Sequence, residues 1–282
     1  MAILLTGATG FVGSSVLKNL VGRGHSVIAL VRSPDKVAAV ESAGATVVLG
    51  DITDLALVSR LATESDGVIH TASPGNETSS DVDDAFASAV LAALDGTDKP
   101  YLHTGGVWVY GNGHDITETD EFDAPAITAW RPAVEARVRA SAVKTTIVAP
   151  AIVYGGGNGI PNIFRSDPVR LFGPGTQHWA TVHVDDLGAL YALAFEQGAQ
   201  DAYYIGASGQ NPTVMELAGA ASRGNAMIKE TREETHARLG AAFADALLLD
   251  QRATGARAKS ELGWTPSGPS LVEELETGSY GR

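Results

Sequence analysis

The sequence predicts an α/β protein built on a doubly wound, Rossmann-type parallel sheet, with helices on both faces and a smaller C-terminal substrate lobe. Three observations favour this class. Short unbroken apolar runs alternate with helical patterns up to Pro150, a glycine-rich loop follows the first run, and glycine and proline become frequent after Pro150. Apolar runs without polar alternation are typical of strands buried on both faces of a parallel sheet. The βαβ alternation favours helical crossovers between parallel strands.

Each element of this sheet is marked by its own run of residues. Six β-rich runs predict strands at Ala2–Thr6, Ser26–Val31, Thr46–Leu49, Gly67–His70, Tyr101–Thr104 and Thr145–Ala149. Helical patterns lie between these runs, at Phe11–Gly22, Pro34–Ala43, Asp54–Thr63, Asp81–Leu94 and Ala129–Ala142. Further helices are predicted after Pro150, at Val184–Glu196, Thr213–Ser222, Glu230–Leu249 and Leu271–Thr277.

The change of composition at Pro150 predicts two domains. Residues 1–150 are expected to form a dinucleotide-binding domain, completed by segments that return from about 180–206. Residues 151–282 are expected to form the smaller substrate-binding lobe. We expect a small-molecule substrate in the cleft between the two lobes, in a monomer or a homodimer.

Charge and composition exclude several classes of function. The chain has 20 Lys and Arg against 33 Asp and Glu, a formal net charge of −13, and no basic block. Binding to nucleic acid or to an anionic membrane needs clustered cations, so we expect neither partner. The absence of cysteine excludes disulfides and thiolate-bound metals, and we expect no metal site. With no targeting signal and no apolar run of about 18 residues, a cytoplasmic protein is expected.

The sharpest motif is the loop TGATGFVG, directly after the first predicted strand. Gly7, Gly10 and Gly13 have the spacing that allows a tight turn, close approach of a pyrophosphate and close helix–strand packing. The following helix would present its unpaired N–H groups to the phosphates. The alternative is a tight turn with no ligand. The cofactor-binding residues predicted here are Gly7, Thr9, Gly10, Phe11, Val12 and Gly13.

The end of the second predicted strand indicates which dinucleotide binds. An acidic residue there holds the ribose 2′-hydroxyl of NAD, but this chain has Arg32 and Ser33. A guanidinium can pair with the 2′-phosphate of NADP, so we predict NADP(H), with NAD(H) as the alternative. A solvated surface arginine would explain the same residue without a ligand.

Two more strand ends are expected to contact the cofactor. Asp51 and Ile52 follow the third predicted strand and are expected to flank the adenine. His70, Thr71 and Ala72 end the fourth, where backbone and small side chains would pass the cofactor. The alternatives are a helix cap for Asp51 and an ordinary loop for the other segment.

The motifs TGATGFVG, GDITD, VIHTA, HTGGVWVYG, APAIVYGGGNG, VHVDDL and LGWTP occur in this order along almost the whole chain. In this the sequence resembles the extended short-chain dehydrogenase/reductase family of NAD(P)-dependent epimerases, dehydratases and reductases. The resemblance implies that Thr104, Arg131, Pro150 and Ile152 contact the cofactor.

The Tyr-x-x-x-Lys pair that usually carries this family's chemistry is missing. If Glu135 is aligned with the acidic residue that commonly follows the Lys, Ile127 takes the Tyr position and Arg131 the Lys position. No tyrosine occurs between Tyr110 and Tyr154, so a shift of one or two residues does not restore the pair. The chain therefore resembles the atypical branch of the family.

Other residues are candidates for the missing chemistry. The predicted catalytic residues are Thr104, Tyr110, Arg131 and Tyr154. Arg131 cannot lose a proton, so only an electrostatic role is expected for it. For both tyrosines the alternative is a structural role, shaping loops. The remaining candidates, each with a structural alternative, are His103, His178, His183, Trp108 and Trp179.

The leading hypothesis is an NADP(H)-dependent oxidoreductase that transfers hydride to a small carbonyl-like substrate. One alternative is a non-catalytic NADP(H)-binding or redox-sensing protein, in which loss of the Tyr–Lys pair means loss of chemistry. The other is an epimerase or dehydratase that oxidises its substrate transiently.

Overall fold

Fourteen strands and eleven α-helices form within residues 1–281, the part of the chain that this computed structural model describes. The strands are β1 (Ala2–Thr6), β2 (Ser26–Val31), β3 (Ala45–Leu49), β4 (Gly67–His70), β5 (Tyr101–Thr104), β6 (Gly113–Ile116), β7 (Thr145–Pro150), β8 (Ile152–Gly155), β9 (Asn158–Gly159), β10 (Val169–Phe172), β11 (Thr181–His183), β12 (Ala202–Gly206), β13 (Met227–Glu230) and β14 (Gln251–Ala253).

The helices are α1 (Phe11–Gly22), α2 (Val37–Ser42), α3 (Leu55–Glu64), α4 (Ser79–Leu94), α5 (Arg131–Arg139), α6 (Val184–Gln197), α7 (Val214–Ser222), α8 (Arg232–Leu239), α9 (Ala241–Leu247), α10 (Ala256–Leu262) and α11 (Leu271–Glu276). Short 3₁₀ helices lie at Pro34–Lys36, Val107–Tyr110 and Ile160–Arg165. Across residues 1–281, none of the helices has the length and apolar character needed to cross a bilayer.

A seven-stranded parallel sheet confirms the predicted fold class. Its strand order is β12-β7-β5-β4-β1-β2-β3. The chain runs from β1 outward to β3 and then returns to β4 on the other side of β1. Because parallel crossovers are right-handed, this reversal places α1 and α2 on one face and α3 to α5 on the other. Ligands of such sheets bind beyond the carboxyl ends of the strands at the reversal, here β1 and β4.

Burial of the strands follows their place in the sheet. The central strands β4 and β1 are buried along almost their whole length, as their unbroken apolar runs predict. At the edge, β3 is largely accessible, and the side chain of Leu49 is 53% exposed. The strand bounds predicted from sequence agree with the structure to within one residue.

The chain folds into two compact units. Unit 1 comprises Met1–Gly105, Trp130–Val148 and Leu187–Tyr204. Unit 2 comprises Gly106–Ala129, Ala149–Asp186 and Ile205–Arg282. Each unit is thus assembled from segments that are distant in the sequence.

Unit 2 has its own small sheets and an aromatic core. Strand β10 pairs with β13, β11 with β8 and β14 with β6, all in parallel, and β8 also pairs with β9 in antiparallel fashion. Trp179 lies at the centre of the core, 2% exposed, with its ring 5.7 Å from that of Phe164 and 5.8 Å from that of Phe172. These aromatic contacts take the place of a large sheet.

Two of the predicted helices need correction. The segment Glu230–Leu249 was expected to be one helix, but Gly240 has φ 81° and ψ 140° and separates α8 from α9. That conformation lies outside the helical region, so the helix cannot continue through it. The predicted helix Ala129–Ala142 is shorter, because α5 begins at Arg131, with Pro132 in its first turn. Helix α10 was not predicted.

Candidate functional site

The glycine loop after β1 is built so that two of its glycines cannot be replaced. Gly7 has φ 80°, and a Cβ there would lie 2.7 Å from Thr71 Oγ1. A Cβ on Gly13 would lie 2.0 Å from the carbonyl oxygen of Gly7. These contacts bring α1 close to β1 and to the end of β4, as the glycine spacing predicts.

The third glycine and the start of α1 leave room for an anion. A Cβ on Gly10 would meet only the carbonyl oxygen of Gly7, at 3.2 Å, and otherwise open space. Helix α1 has no side-chain cap and no acidic residue in its first turn. Among residues 1–281, no atom accepts a hydrogen bond from the backbone N–H of Phe11 or Val12. Unpaired N–H groups at a helix N-terminus are the donors that a pyrophosphate needs, so these residues fit a dinucleotide. Thr9, beside them, is exposed.

The end of β2 presents a cation to solvent. The side chain of Arg32 is 78% exposed, and its Nε lies 4.0 Å from Asp51 Oδ2. Asp51 accepts hydrogen bonds from the backbone N–H and the hydroxyl of Thr53, at 2.9 and 2.8 Å, and these hold its pKa below the usual range. The cap of α3 is Asp54, so Asp51 is not the helix cap. Ser33 and Ile52 lie beside this pair and are half-buried.

At the end of β4, the side chains of His70 and Thr71 contact other groups of the protein. Thr71 donates its hydroxyl proton to the carbonyl oxygen of Thr6, at 2.7 Å. His70 is 1% exposed, with its ring stacked on Phe86 at 3.9 Å, so the imidazole lies in the core. The imidazole of His70 and the hydroxyl of Thr71 are therefore engaged within the protein, whereas Ala72 is half-buried.

A buried chain of polar groups runs behind this strand end. Asp83 Oδ1 is hydrogen-bonded to His70 Nε2 at 3.2 Å. Asp83 Oδ2 lies 3.4 Å from His103 Nε2, but this second contact is too poorly aligned for a hydrogen bond. The other ring nitrogens meet hydroxyls, His70 Nδ1 with Thr6 at 2.7 Å and His103 Nδ1 with Tyr101 at 2.8 Å.

One protonation pattern satisfies these contacts. Burial alone would raise the pKa of Asp83, but the two imidazoles lower it below its usual range, so the carboxylate is ionised. Burial lowers the pKa of His70 and raises that of Tyr101. His70 is then neutral, donates from Nε2 to Asp83 and accepts from the hydroxyl of Thr6. Asp83 was not predicted from the sequence, because a single aspartate in a helix carries no signal of this contact.

Thr104 ends β5 with its hydroxyl fully engaged. Its Oγ1 donates to the carbonyl oxygen of His70 at 2.6 Å and lies 2.6 Å from the hydroxyl of Tyr191. Since the single proton of Thr104 goes to His70, Tyr191 must be the donor in the second bond. Tyr191 is fully buried, and burial raises its pKa. Thr104 therefore has no proton for a substrate in this arrangement. Tyr191 was missed, because its place in an apolar helix is typical of a core residue.

Arg131 lies directly beside Thr104. Its Nη1 donates to the carbonyl oxygen of Thr104 at 2.9 Å, and the guanidinium lies over the ring of Trp130 at 4.6 Å. This fixes a permanent cation at the end of β5, as the resemblance implies for the Lys position. Ile127, aligned with the Tyr position, lies outside α5 in the turn before it, in unit 2.

The predicted residues of unit 2 are engaged in packing. Tyr154 is 1% exposed and donates its hydroxyl proton to the carbonyl oxygen of Pro269 at 2.7 Å, and burial raises its pKa. Tyr110 is 4% exposed, with its ring edge-on to that of Phe122. The side chain of Ile152 belongs to the core of unit 2. Pro150, at the end of β7, is half-buried.

The other candidates of unit 2 are also held by protein groups. His178 Nδ1 lies 2.9 Å from Asp250 Oδ1, and its Nε2 lies 3.0 Å from Arg252 Nη2. His183 Nδ1 accepts from the backbone N–H of Asp185 at 3.3 Å. Trp179 donates from its indole to the carbonyl oxygen of Leu247, and Trp108 packs against the core.

Comparison with known proteins identifies a cofactor-binding family. The profile of the NAD(P)H-binding family matches residues 7–171, which is more than half of the chain.

Two relatives illustrate what is known of similar sequences. An uncharacterised protein of Schizosaccharomyces pombe is 29% identical over 295 residues, covering 99% of this chain and 100% of that protein. The 2-alkyl-3-oxoalkanoate reductase of Stenotrophomonas maltophilia is 27% identical over 234 residues, covering 73% of this chain and 68% of that enzyme.

Solved structures share the fold over the full length. Pal from Bacillus thuringiensis superposes with a TM-score of 0.80 at 21% identity, covering 99% of this chain and 98% of that one. The human epimerase family protein SDR39U1, solved with NADPH, superposes with a TM-score of 0.79 at 22% identity, covering 99% of each chain.

Proposed function

The chain belongs to the NAD(P)H-binding family and has the fold of the extended short-chain dehydrogenases/reductases, and on this premise we propose that it is an NADPH-dependent reductase of small carbonyl compounds. The cofactor would be held by the glycine loop of unit 1, by Arg32 and by Arg131. NADP(H) is proposed over NAD(H).

One observation carries the choice of cofactor: the exposed guanidinium of Arg32 at the end of β2. A carboxylate at this position would repel a 2′-phosphate, whereas a guanidinium can form two charge-assisted hydrogen bonds with it. The only ion pair of Arg32 within residues 1–281, with Asp51, spans 4.0 Å and leaves most of the side chain exposed. Arg32 is therefore available to a ligand.

The chemistry proposed for the chain's own residues is positioning and electrostatics. Bound NADPH would supply the hydride. The N–H groups at the start of α1 would bind the pyrophosphate, and Arg131 would hold the nicotinamide ribose as a fixed cation. Because the proton of Thr104 is committed to His70, the proton for the product alcohol is proposed to come from water or from another group.

The relatives support reduction rather than epimerisation. A distant relative that covers 73% of this chain is named as a reductase of 2-alkyl-3-oxoalkanoates, which are ketones that carry a carboxylate. A second, 24% identical over 225 residues from Stigmatella aurantiaca, is named as a ketoreductase. A 3-oxo acid is accordingly the substrate class we would test first.

A second candidate function is non-catalytic binding of NADP(H). It is favoured because two of the predicted proton donors already donate to carbonyl oxygens of the protein. The hydroxyl of Thr104 donates to the carbonyl oxygen of His70, and the hydroxyl of Tyr154 donates to that of Pro269. A protein of this kind would bind the cofactor and turn nothing over.

The test combines binding and turnover. Calorimetry with NADPH and NADH measures cofactor choice, and NADPH oxidation is followed over a panel of aldehydes, ketones and 3-oxo acids. We expect tighter binding of NADPH and consumption with at least one carbonyl compound. Binding without consumption would favour the second candidate, and equal affinity for NADH would contradict the argument from Arg32.

Gly10→Val is the control variant that should not bind the cofactor. The valine side chain would occupy the open space where the pyrophosphate is proposed to lie, and its Cβ, 3.2 Å from the carbonyl oxygen of Gly7, requires only a small local shift. We expect no measurable NADPH binding and a circular dichroism spectrum like that of the wild type. Retention of wild-type affinity would show that the diphosphate is bound elsewhere.

A further inference from the structure

Glu135 is a deeply buried carboxyl group with an oxygen that lacks a partner. Glu135 belongs to α5, on the buried face of the helix, and is 1% exposed. Oε2 accepts a hydrogen bond from the hydroxyl of Tyr203 at 3.0 Å, whereas Oε1 has no hydrogen-bond partner within residues 1–281. An ionised carboxylate is strongly disfavoured in such a place, because it has lost its hydration and has only one donor to replace it. Burial accordingly raises the pKa of Glu135.

Arg131 and Glu135 both lie against the backbone around Gly105. Arg131 Nη1 lies 2.9 Å from the carbonyl oxygen of Thr104 and 3.4 Å from that of Gly105. On the side where a side chain of residue 105 would project, a Cβ would lie only 2.7 Å from Glu135 Oε1. The absence of a side chain at Gly105 is therefore what makes room for the Glu135 carboxyl group.

Four groups on the surrounding elements act on the charge of Glu135. Asp83 of α4 disfavours its ionisation, since a second negative charge would be buried nearby. Tyr203 of β12, His103 of β5 and Arg131 of the same helix favour it. Arg131 is the permanently charged member and lies one helical turn away. An ionised Glu135 would therefore attract the guanidinium that now binds the carbonyl groups of Thr104 and Gly105.

We propose that Glu135 is a positioning residue for Arg131, and that it does this work as an uncharged carboxylic acid. Neutral Glu135 fills the space beside Gly105 without competing for the guanidinium, so Arg131 stays on the carbonyl groups at the end of β5. Ionised Glu135 withdraws Arg131 from that place. The inference rests on the proposed function, in which Arg131 holds the nicotinamide ribose of NADPH.

The test is the pH dependence of NADPH affinity in the wild type and in Glu135→Gln. Glutamine has nearly the same shape and cannot ionise, so it keeps the neutral state at every pH. We expect the wild-type dissociation constant to rise about tenfold as the pH is raised through the range in which Glu135 ionises, above that of an ordinary glutamate, because a charge-assisted contact of Arg131 is lost. In Glu135→Gln the constant should stay at the wild-type low-pH value, apart from changes that both proteins share. The ratio between the two proteins isolates Glu135.

Other results would overturn the proposal. If both proteins show the same pH dependence, ionisation of Glu135 does not act on the cofactor. If Glu135→Gln binds NADPH weakly at every pH, as Arg131→Ala should, the negative charge itself is required. Glu135→Ala serves as the comparison that removes packing as well as charge.

A measurement on the wild type alone covers the case in which the variants do not fold. Infrared spectroscopy detects the C=O stretch of a protonated carboxylic acid, and exposed carboxyl groups lose this band as the pH rises through about 4–5. We expect one such band to persist above that range, and its absence would contradict an uncharged Glu135. This readout needs no cofactor, so it remains decisive if the protein binds no NADPH, a result that would contradict the proposed function instead.

Discussion

Arg32 differs from the other exposed arginines of unit 1 in what surrounds it. Arg60 pairs with Glu64 at 3.0 Å, Arg137 with Asp84 at 2.6 Å and Arg139 with Asp201 at 2.8 Å. Arg32 has only the 4.0 Å approach to Asp51, whose carboxylate is already bound by Thr53. A cation with so weak a partner loses little when an anionic ligand takes it over.

Arg32→Asp should therefore weaken NADPH binding selectively. The change removes a charge-assisted contact with the 2′-phosphate and adds repulsion, so we expect a loss of about 2 kcal/mol, roughly thirtyfold in affinity. NADH affinity should stay the same or improve, because its ribose has no phosphate. Calorimetry with both cofactors measures the difference. Arg60→Asp, on α3, is the matched control because it changes the net charge by the same amount. An equal loss of NADPH affinity in that variant would mean that Arg32 acts only through the net charge of the protein.

At this scale the sequence indicates residues whose expected roles depend on local position, and it does not indicate contacts that arise from packing. The glycine loop and Arg32 are candidates of the first kind, because their proposed roles depend on backbone geometry and charge at fixed positions after a strand. Asp83 and Tyr191 could not be recognised, since their contacts arise only when α4 and α6 pack on the sheet. Glu135 entered the sequence analysis as an alignment marker, and its burial is a property of the packed helix.

At the level of elements, local patterns sufficed in unit 1 and failed in parts of unit 2. Strands β1, β2, β4 and β5 were predicted to the residue, because each is a continuous apolar run between turn residues. In unit 2 the apolar periodicity of Glu230–Leu249 continues across Gly240, although the backbone there leaves the helical region. Periodicity reports which residues are buried, and it does not report where a helix is interrupted.

Gly240→Ala tests this reading of the interruption. A Cβ at Gly240 would meet no atom within 4 Å, so any cost comes from the backbone conformation alone. We expect the free energy of unfolding to fall by about 1–3 kcal/mol, as for other residues forced into a conformation reserved for glycine. Chemical denaturation measures this change.

Gly219→Ala is the matched control for that substitution. Gly219 lies inside α7, and a Cβ there also meets no atom within 4 Å. The same replacement should stabilise the protein by about 0.5–1 kcal/mol, since alanine loses less backbone entropy in a helix. If both variants lose stability equally, the backbone of Gly240 is not the cause.

At the scale of the whole molecule, stability depends on pH through groups whose pKa differs between the folded and unfolded chain. Burial lowers the pKa of His70, so this imidazole stays neutral in the folded protein when an unfolded histidine takes up a proton. Hydrogen bonds from Arg23 lower the pKa of Glu196 to about 2. Both shifts mean that the unfolded chain binds more protons in acid, so folding is less favourable as pH falls. The raised pKa of Glu135 acts in the opposite sense above its unfolded value.

The lowered pKa of His70 and the lowered pKa values of Glu196 and Asp83 affect stability in separate pH windows, so the two contributions can be measured separately. Below about pH 6.5 His70 should lower the free energy of unfolding by up to about 1.4 kcal/mol per pH unit, against the opposite contribution of Glu135, and below about pH 4.5 Glu196 and Asp83 should add to the fall. Urea denaturation at a series of pH values measures both parts. Relative to the wild type, His70→Asn should remove the fall in the upper window and leave the lower one, and Glu196→Gln should reduce only the lower one. If the free energy of unfolding changes equally between pH 7 and pH 5 in His70→Asn and in the wild type, His70 takes up its proton in the folded protein as it does in the unfolded chain, and the neutral state assigned to it is wrong.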